Sequence, residues 1–236
     1  MFEKPHVLLI EDSEETQIMV ESLLSSICYL KIVDTTVKAE EEINKKLPDL
    51  IIADIGLPGE NGFQFCARIR SNEKFNDIPF IFFTSNNQPS DEVMGLKLGA
   101  DDYLKKPIDH AVFTARVTSI LRKKQDRQNT EKILQVGELS INFSKQKAFI
   151  VSEADNSSTD LGLTYSEFRI LVVLAENQGF LFSRETLLSK IWGDDISVSD
   201  RTIDTHIYKL RRKLGKLSWL ISTTSGVGYK FDQNKM

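Results

Sequence analysis

At 236 residues the chain exceeds one small domain, and at roughly 100–200 residues per domain two are expected. A 41% hydrophobic and 27% charged composition excludes a disordered chain, and no apolar run approaches the ~18–20 residues that cross a bilayer. Two cysteines, Cys28 and Cys66, exclude a disulfide framework and lack metal-ligand spacing, and a net charge of -4 speaks at first sight against nucleic acid.

Residues 1–124 alternate short apolar runs with amphipathic stretches. The runs lie at 7–10, 30–33, 50–53, 80–83 and 103–104, and helix-like segments are expected near 14–27, 37–47, 63–71, 90–98 and 109–124. Continuously apolar strands separated by helices predict a doubly wound, five-stranded parallel sheet of the flavodoxin-like type, covered on both faces. Residues 125–134, charged and polar with little to bury, are expected to link this part to a second domain at 135–236. No leader segment is apparent, so a cytoplasmic protein without membrane contact and with two buried thiols is expected.

The polar residues that close the apolar runs carry the chemistry. Glu11 and Asp12 follow the first strand, Asp54 the third, Thr84 the fourth and Lys106 the fifth. Ligands of an open α/β sheet bind beyond the carboxyl ends of the strands, so these side chains should converge on one crevice. Three carboxylates together repel one another unless a cation sits among them, and an all-oxygen set favours Mg²⁺. Asp54 can then act as nucleophile toward a phosphoryl group, with Lys106 offsetting its charge and Thr84 donating a hydrogen bond.

The motifs LLIEDS (8–13), IIADIGLPGENG (51–62), FFTSN (82–86) and GADDYLKKP (99–107) resemble the receiver domain of bacterial two-component response regulators. The resemblance implies Asp54 as phosphoacceptor and a sensor histidine kinase as donor. It implies Mg²⁺ on Glu11, Asp12, Asp54 and the backbone carbonyl of Gly56. Thr84 and Tyr103 become the switch pair, Tyr103 turning inward on phosphorylation, and Lys106–Pro107 becomes a cis peptide. It also implies a homodimer through the face of the fourth helix, fifth strand and fifth helix. Asp101, Asp102, Arg116 and Lys123 are expected to make cross-subunit ion pairs there, whereas Glu92 and Val112 stand where the family commonly pairs Lys with Glu. Two aspartate- or phosphate-based alternatives fit less well. A haloacid-dehalogenase-type phosphatase needs a carboxylate two residues beyond its nucleophile, where this chain has Gly56. A flavin site wants a Gly-rich phosphate loop after the first strand, where Glu11-Asp12-Ser13-Glu14-Glu15 would repel the phosphate.

In the second half, loose period-two alternation over 134–151 predicts a small antiparallel sheet, and Glu153–Asp160 a polar loop. Thr164 and Glu167 form a capping box for a helix that stops before Gly179. Ser183 opens a second helix ending near Trp192, and Ser199 or Asp200 a third. Two β-prone segments flank Ser225-Gly226. The third helix has apolar residues at 203, 207, 210 and 214, a narrow stripe at ~100° per residue. Arg201, Thr205, Tyr208 and Arg212 fall opposite, Lys209 flanks them, and His206, Arg211 and Lys213 lie toward the sides. Here the charge average divides. Residues 1–124 hold 15 basic and 20 acidic side chains, 125–236 hold 15 and 14, and Arg201–Lys216 alone holds six basic residues and one acid. A helix anchored by one face and offering donors, hydroxyls and an aromatic on the other suits a DNA major groove.

LTYSEFRIL (163–171), LLSKIWG (187–193), SDRTIDTHIYKLRRKLG (199–215) and ISTTSGVGYKF (221–231) resemble the winged-helix effector of the response regulators typified by the osmolarity and phosphate-starvation regulators. The resemblance implies double-stranded DNA as partner, with Arg201, Thr202, His206, Lys209 and Arg211 facing it. Gly226, Gly228 and Tyr229 match the wing hairpin. The family usually places Arg at the position of Ser225, a role left in part to Lys230, and Arg at the position of Tyr208, which points to an altered base preference. The expectation is therefore a phosphorylation-dependent transcriptional regulator, not an enzyme with an external substrate, that binds tandem promoter half-sites as a dimer and has RNA polymerase as a further partner.

Overall fold

The computed structural model describes residues 4–125, 132–152, 157–192 and 201–232, with the side chains of 122–125 and 201 outside the description. The chain divides into two compact units, 1–124 and 125–236.

The first unit is built on β1 (His6–Ile10), β2 (Tyr29–Val33), β3 (Leu50–Ala53), β4 (Phe80–Thr84) and β5 (Asp102–Lys105), all parallel in the order β2-β1-β3-β4-β5. Helices α1 (Glu14–Leu24), α2 (Thr36–Lys45), α3 (Gly62–Ser71), α4 (Pro89–Leu98) and α5 (His110–Gln125) connect and cover the strands. β3 and β4 are buried at every residue, which is why they read as unbroken apolar runs. On one face Phe80 and Phe82 meet edge to face at 5.1 Å and pack with Phe65 of α3. On the other, Phe83 meets Phe113 of α5 at 4.9 Å. Each expected helix starts within one residue of its predicted position, and local caps set the starts of α1, α2 and α3. Ser13 accepts from Thr16 N, Thr35 from Lys38 N, and Asn61 and Gln64 form a capping box. α1 stops three residues earlier than expected. Ser25-Ser26 gives it nothing to bury, and the N–H groups of Ile27 and Cys28 fold back onto Leu24 O. Cys28 and Cys66 are buried free thiols.

The second unit opens on an antiparallel sheet, β6 (Ile133–Val136), β7 (Leu139–Asn142), β8 (Lys147–Val151) and β9 (Ser158–Asp160). β9 corrects the expected loop. Its three exposed polar residues carry no alternation, and it is a strand only through backbone pairing with β8. α5 runs to Gln125 and β6 begins at Ile133, so both ends of the expected linker belong to regular elements. There follow α6 (Tyr165–Glu176), β10 (Phe182–Ser183), α7 (Arg184–Trp192), α8 (Arg201–Leu214), a 3₁₀ turn (Gly215–Leu220), β11 (Ile221–Thr224) and β12 (Gly228–Phe231). The capping box of α6 is formed as expected by Thr164 and Glu167. The expected start of α8 at Ser199 or Asp200 lies outside the described residues. β10, β12 and β11 make a three-stranded sheet whose β11–β12 turn is the wing. Gly226 turns it with φ +73°, and Gly228 is obligatory, since a Cβ there would lie 1.8 Å from Phe182 O. Ile203, Ile207, Leu210 and Leu214 anchor α8 in a core with Phe168, Leu171, Leu187 and Phe231.

Candidate functional site: an acidic pocket and a basic helix

β1 lies between β2 and β3, so the connections leave it in opposite directions and open a crevice at its carboxyl end. Glu11, Asp12, Asp54, Thr84 and Lys106, at the ends of four strands, are brought there. Lys106 Nζ donates to Glu11 Oε2 at 2.6 Å and to Asp54 Oδ2 at 2.9 Å. Asp54 Oδ1 accepts from Ile55 N at 2.5 Å and Gly56 N at 3.2 Å, and Glu11 Oε1 from Ser13 N at 3.2 Å. Burial works against the charge of both carboxylates. For Glu11 it wins over Lys106, and the group lies above its ordinary value. For Asp54 it is outweighed by the bonds from Lys106 and the Thr84 hydroxyl, and the group lies below.

Glu11, Asp12 and Asp54 each bring a carboxylate oxygen to within 4.8 Å of the others. One ammonium among three carboxylates leaves negative charge in excess, and the donors are all hard oxygens. The residues therefore fit a divalent cation such as Mg²⁺. At Gly56 the space beyond Cα is open. Lys106–Pro107 is cis, as the resemblance implied.

Thr84 is buried, and its Oγ1 accepts from Asn86 N at 3.2 Å. Tyr103 is not poised outside. Its ring is buried against Phe82 at 6.0 Å, and its hydroxyl donates to Asn86 O at 2.8 Å, so the inward position expected after phosphorylation is already taken. Three expected cross-subunit residues are likewise used inside one chain. Asp101 accepts from Arg70 Nη2 and Phe80 N, both at 2.9 Å, and Asp102 pairs with Arg116 at 2.7 Å. All three are buried, and burial holds the Asp102 carboxyl above its ordinary value despite Arg116. Lys123 belongs to α5, with its side chain outside the description.

In the second unit the exposed side of α8 presents Tyr208 and Arg212, with Thr205, Lys209 and Arg211 partly exposed. The Arg201 side chain is outside the description. Two expected DNA-facing residues are corrected. Thr202 is buried, and His206 is fully buried with its ring 5.8 Å from that of Trp192. They flank the apolar seam closely enough that the core closes over them. Arg211 is turned to the wing, donating to Ile221 O and to Thr223 Oγ1 at 2.7 Å. Lys230 pairs with Asp232 at 2.8 Å.

Some residues that shape these sites are ones sequence reasoning passed over. Asn86 bonds both residues of the expected switch pair, donating from N to Thr84 Oγ1 and accepting at O from the Tyr103 hydroxyl, and its place in FFTSN was the available signal. Asp204, the lone acid of the basic stretch, accepts from Arg184 Nε at 2.8 Å and from the Tyr229 hydroxyl at 2.6 Å. The Tyr229 ring carries Arg184 at 5.2 Å and Arg211 at 5.6 Å. Asp204 thus ties the helix to the wing and to the start of α7. That pairing joins residues 20 and 25 positions apart, which no local pattern announces.

Comparison with known proteins bears on both units. Residues 7–118 match the response regulator receiver domain, and residues 158–231 match the C-terminal domain of transcriptional regulatory proteins. The phosphate regulon transcriptional regulatory protein PhoB of Rhizobium meliloti is 31% identical over 97% of this chain and 99% of its own. The transcriptional regulatory protein AfsQ1 of Streptomyces coelicolor is 35% identical over 97% and 98%. BaeR of Escherichia coli is 33% identical over 97% and 93%. A solved structure of a RitR mutant shares the fold, with a TM-score of 0.74 over 98% of this chain and 100% of that one at 20% identity. The chain belongs to the two-component response regulators that join a receiver domain to a winged-helix transcriptional regulatory domain.

Proposed function

We propose that a sensor histidine kinase transfers a phosphoryl group to Asp54, and that the protein then dimerises and binds tandem promoter half-sites through α8. The observation that carries this reading is Lys106, which reaches Glu11 and Asp54 at once while Asp12 stands within 4.8 Å of both. Glu11, Asp12, Asp54 and the Gly56 carbonyl would hold Mg²⁺, which supplies positive charge opposite the phosphoryl oxygens. Lys106 is placed to leave its carboxylates for the incoming phosphoryl group. The Thr84 hydroxyl, whose oxygen accepts from Asn86 N and whose proton goes to Asp54, is placed to donate to the phosphoryl group instead. Gly56 has no side chain, so the position two residues beyond Asp54 supplies no general acid, which favours a stable acceptor over a hydrolase. No turnover of an external phosphoester is expected in a malachite-green assay.

The dimer would form through α4, β5 and α5. Asp102–Arg116 and the 2.8 Å pair Glu92–Lys105 close within one chain on that face, so any cross-subunit use requires these pairs to exchange. Among the described residues no helix is long and apolar enough to cross a membrane, and the site of action proposed is the cytoplasm, with RNA polymerase as a further contact. The test is labelling with acetyl phosphate. Wild type labels in the presence of Mg²⁺ and loses labelling on chelation. Asp54→Ala abolishes it, and retained labelling would overturn the assignment.

A further inference from the structure

We infer that Tyr208 reads a thymine methyl, so that the half-site bound by α8 is specified in part by apolar contact. The inference rests on the proposed DNA contact through α8 and adds to it the chemistry of the base.

The protein itself engages several polar groups of α8. Asp204 holds Arg184 and Tyr229. Arg211 donates to Ile221 O at 3.0 and 2.7 Å and to Thr223. Thr202 and His206 lie in the core. Among the exposed side chains of α8 is an aromatic: Tyr208 is 62% exposed. It lies three residues after Thr205 and four before Arg212, so the three form one stripe opposite the buried seam. The Arg212 guanidinium sits 6.0 Å from the Tyr208 ring centroid, at the outer reach of a cation–π contact. Tyrosine itself has few rotatable bonds to immobilise on binding.

The chemistry follows from the side chain. Arginine reads guanine through two donors to O6 and N7, and tyrosine cannot supply that pair. A ring edge, beside the methyl of Thr205, can cover the one apolar group of the major groove, the C5 methyl of thymine. The phenol oxygen remains available to a phosphate. The wing tip Ser225-Gly226-Val227 is exposed and carries no cation to supply base contacts of its own. Burying one methyl contributes about a three- to five-fold gain in affinity.

The test uses the full-length protein, treated with acetyl phosphate and Mg²⁺, and a randomised DNA duplex pool. The selected site is resynthesised with deoxyuridine replacing single thymidines, which removes only the methyl group. We expect at least one position where uracil weakens binding about three- to five-fold. Tyr208→Ala should bind the thymine and uracil duplexes equally, and Tyr208→Arg should select guanine there. Because Tyr208 is exposed, both variants should melt as wild type does. Equal binding of every uracil duplex by wild type, or discrimination that survives Tyr208→Ala, would overturn the inference while leaving DNA binding intact. If wild type enriches no sequence at all, the DNA-binding proposal fails, and this inference with it.

Discussion

Glu167 is a charge that folding has placed out of reach of water. Its carboxylate, 1% exposed, accepts from Thr164 N at 2.9 Å as half of the α6 capping box and from Lys213 Nζ at 2.7 Å. Burial alone would raise its pKa, but Lys213 outweighs burial, and the group lies below its ordinary value of 4.5. A carboxyl depressed on folding contributes stability above its unfolded pKa and loses it as pH falls through the folded value. Lys213→Met would leave the charge buried and unpaired, which costs about 3 kcal/mol, the low end for a broken buried pair, because Lys213 is itself 32% exposed. Protonation of Glu167 relieves that cost. The deficit relative to wild type, read from urea unfolding of the second unit, should therefore be largest at about pH 7 and shrink toward about pH 5. An equal deficit at both would assign it to lost packing. The same scale shows what a sequence makes legible. The five pocket residues could be read because each is a polar residue ending an apolar run, a purely local signal. His206 and Thr202 could not, because a helical wheel gives the direction of a side chain and not the depth of the core; Trp192 covers His206 from another helix. Asp101 and Asp102 looked like a surface pair. Their partners, Arg70 and Arg116, lie 31 and 14 residues away, and the distance in sequence hid the burial.

Among the elements, α4 is held differently at its two ends. Its N-terminus has Pro89 in the first turn and no side-chain cap, whereas its C-terminus ends at Gly99 in the left-handed conformation with φ +113°. There Arg70 Nε donates to Gly99 O at 2.7 Å and Nη1 to Asn76 O and Ile78 O, so α3 fastens the far end of α4 to the sheet. Between the ends, Gly95 lets the helix approach Phe82 and Tyr103. A Cβ at 95 would meet Phe82 Cδ2 at 2.9 Å and Tyr103 Cδ2 at 3.2 Å. Alanine would gain helix propensity worth up to about 1 kcal/mol but would overpack rings that have no room to retreat, at a cost of about 1–3 kcal/mol. Gly95→Ala should therefore destabilise the first unit by about 1 kcal/mol in urea unfolding and raise the exposure of Tyr103, read by fluorescence quenching. A more stable variant would mean that α4 shifts freely. The strands and helices of this unit were legible because nearly every one is apolar or capped by its own residues. β9 was not, because an exposed edge strand is defined by its neighbour's backbone and leaves no pattern of its own.

For the whole molecule, the net charge of -4 conceals a division: the acidic excess belongs to the receiver unit and the basic stretch to α8. The second half as a whole is still near neutral, and the wing tip has no arginine. Few phosphates can then be neutralised by one copy, so a single half-site should be held weakly and with a shallow salt dependence. In the proposed dimer, affinity comes from joining two copies. Once a dimer holds two winged helices, the second half-site is bound at the effective concentration set by the linkage, a gain of about 10²–10⁴ without any new base contact. The gain exists only where both sites can be engaged together. Phosphorylated protein should therefore bind a tandem duplex about 10²–10⁴ times more tightly than a single half-site, and Asp54→Ala should show almost none of this difference. Inserting about five base pairs between the half-sites rotates one by half of the 10–10.5 base-pair helical turn, and the gain should collapse to the single-site value. A second insertion that completes the turn brings the half-sites back to one face of the duplex, and part of the affinity should return as far as the linkage can span. If affinity were indifferent to the five-base-pair insertion, two copies would be binding independently, and phosphorylation would have to act on each effector unit directly.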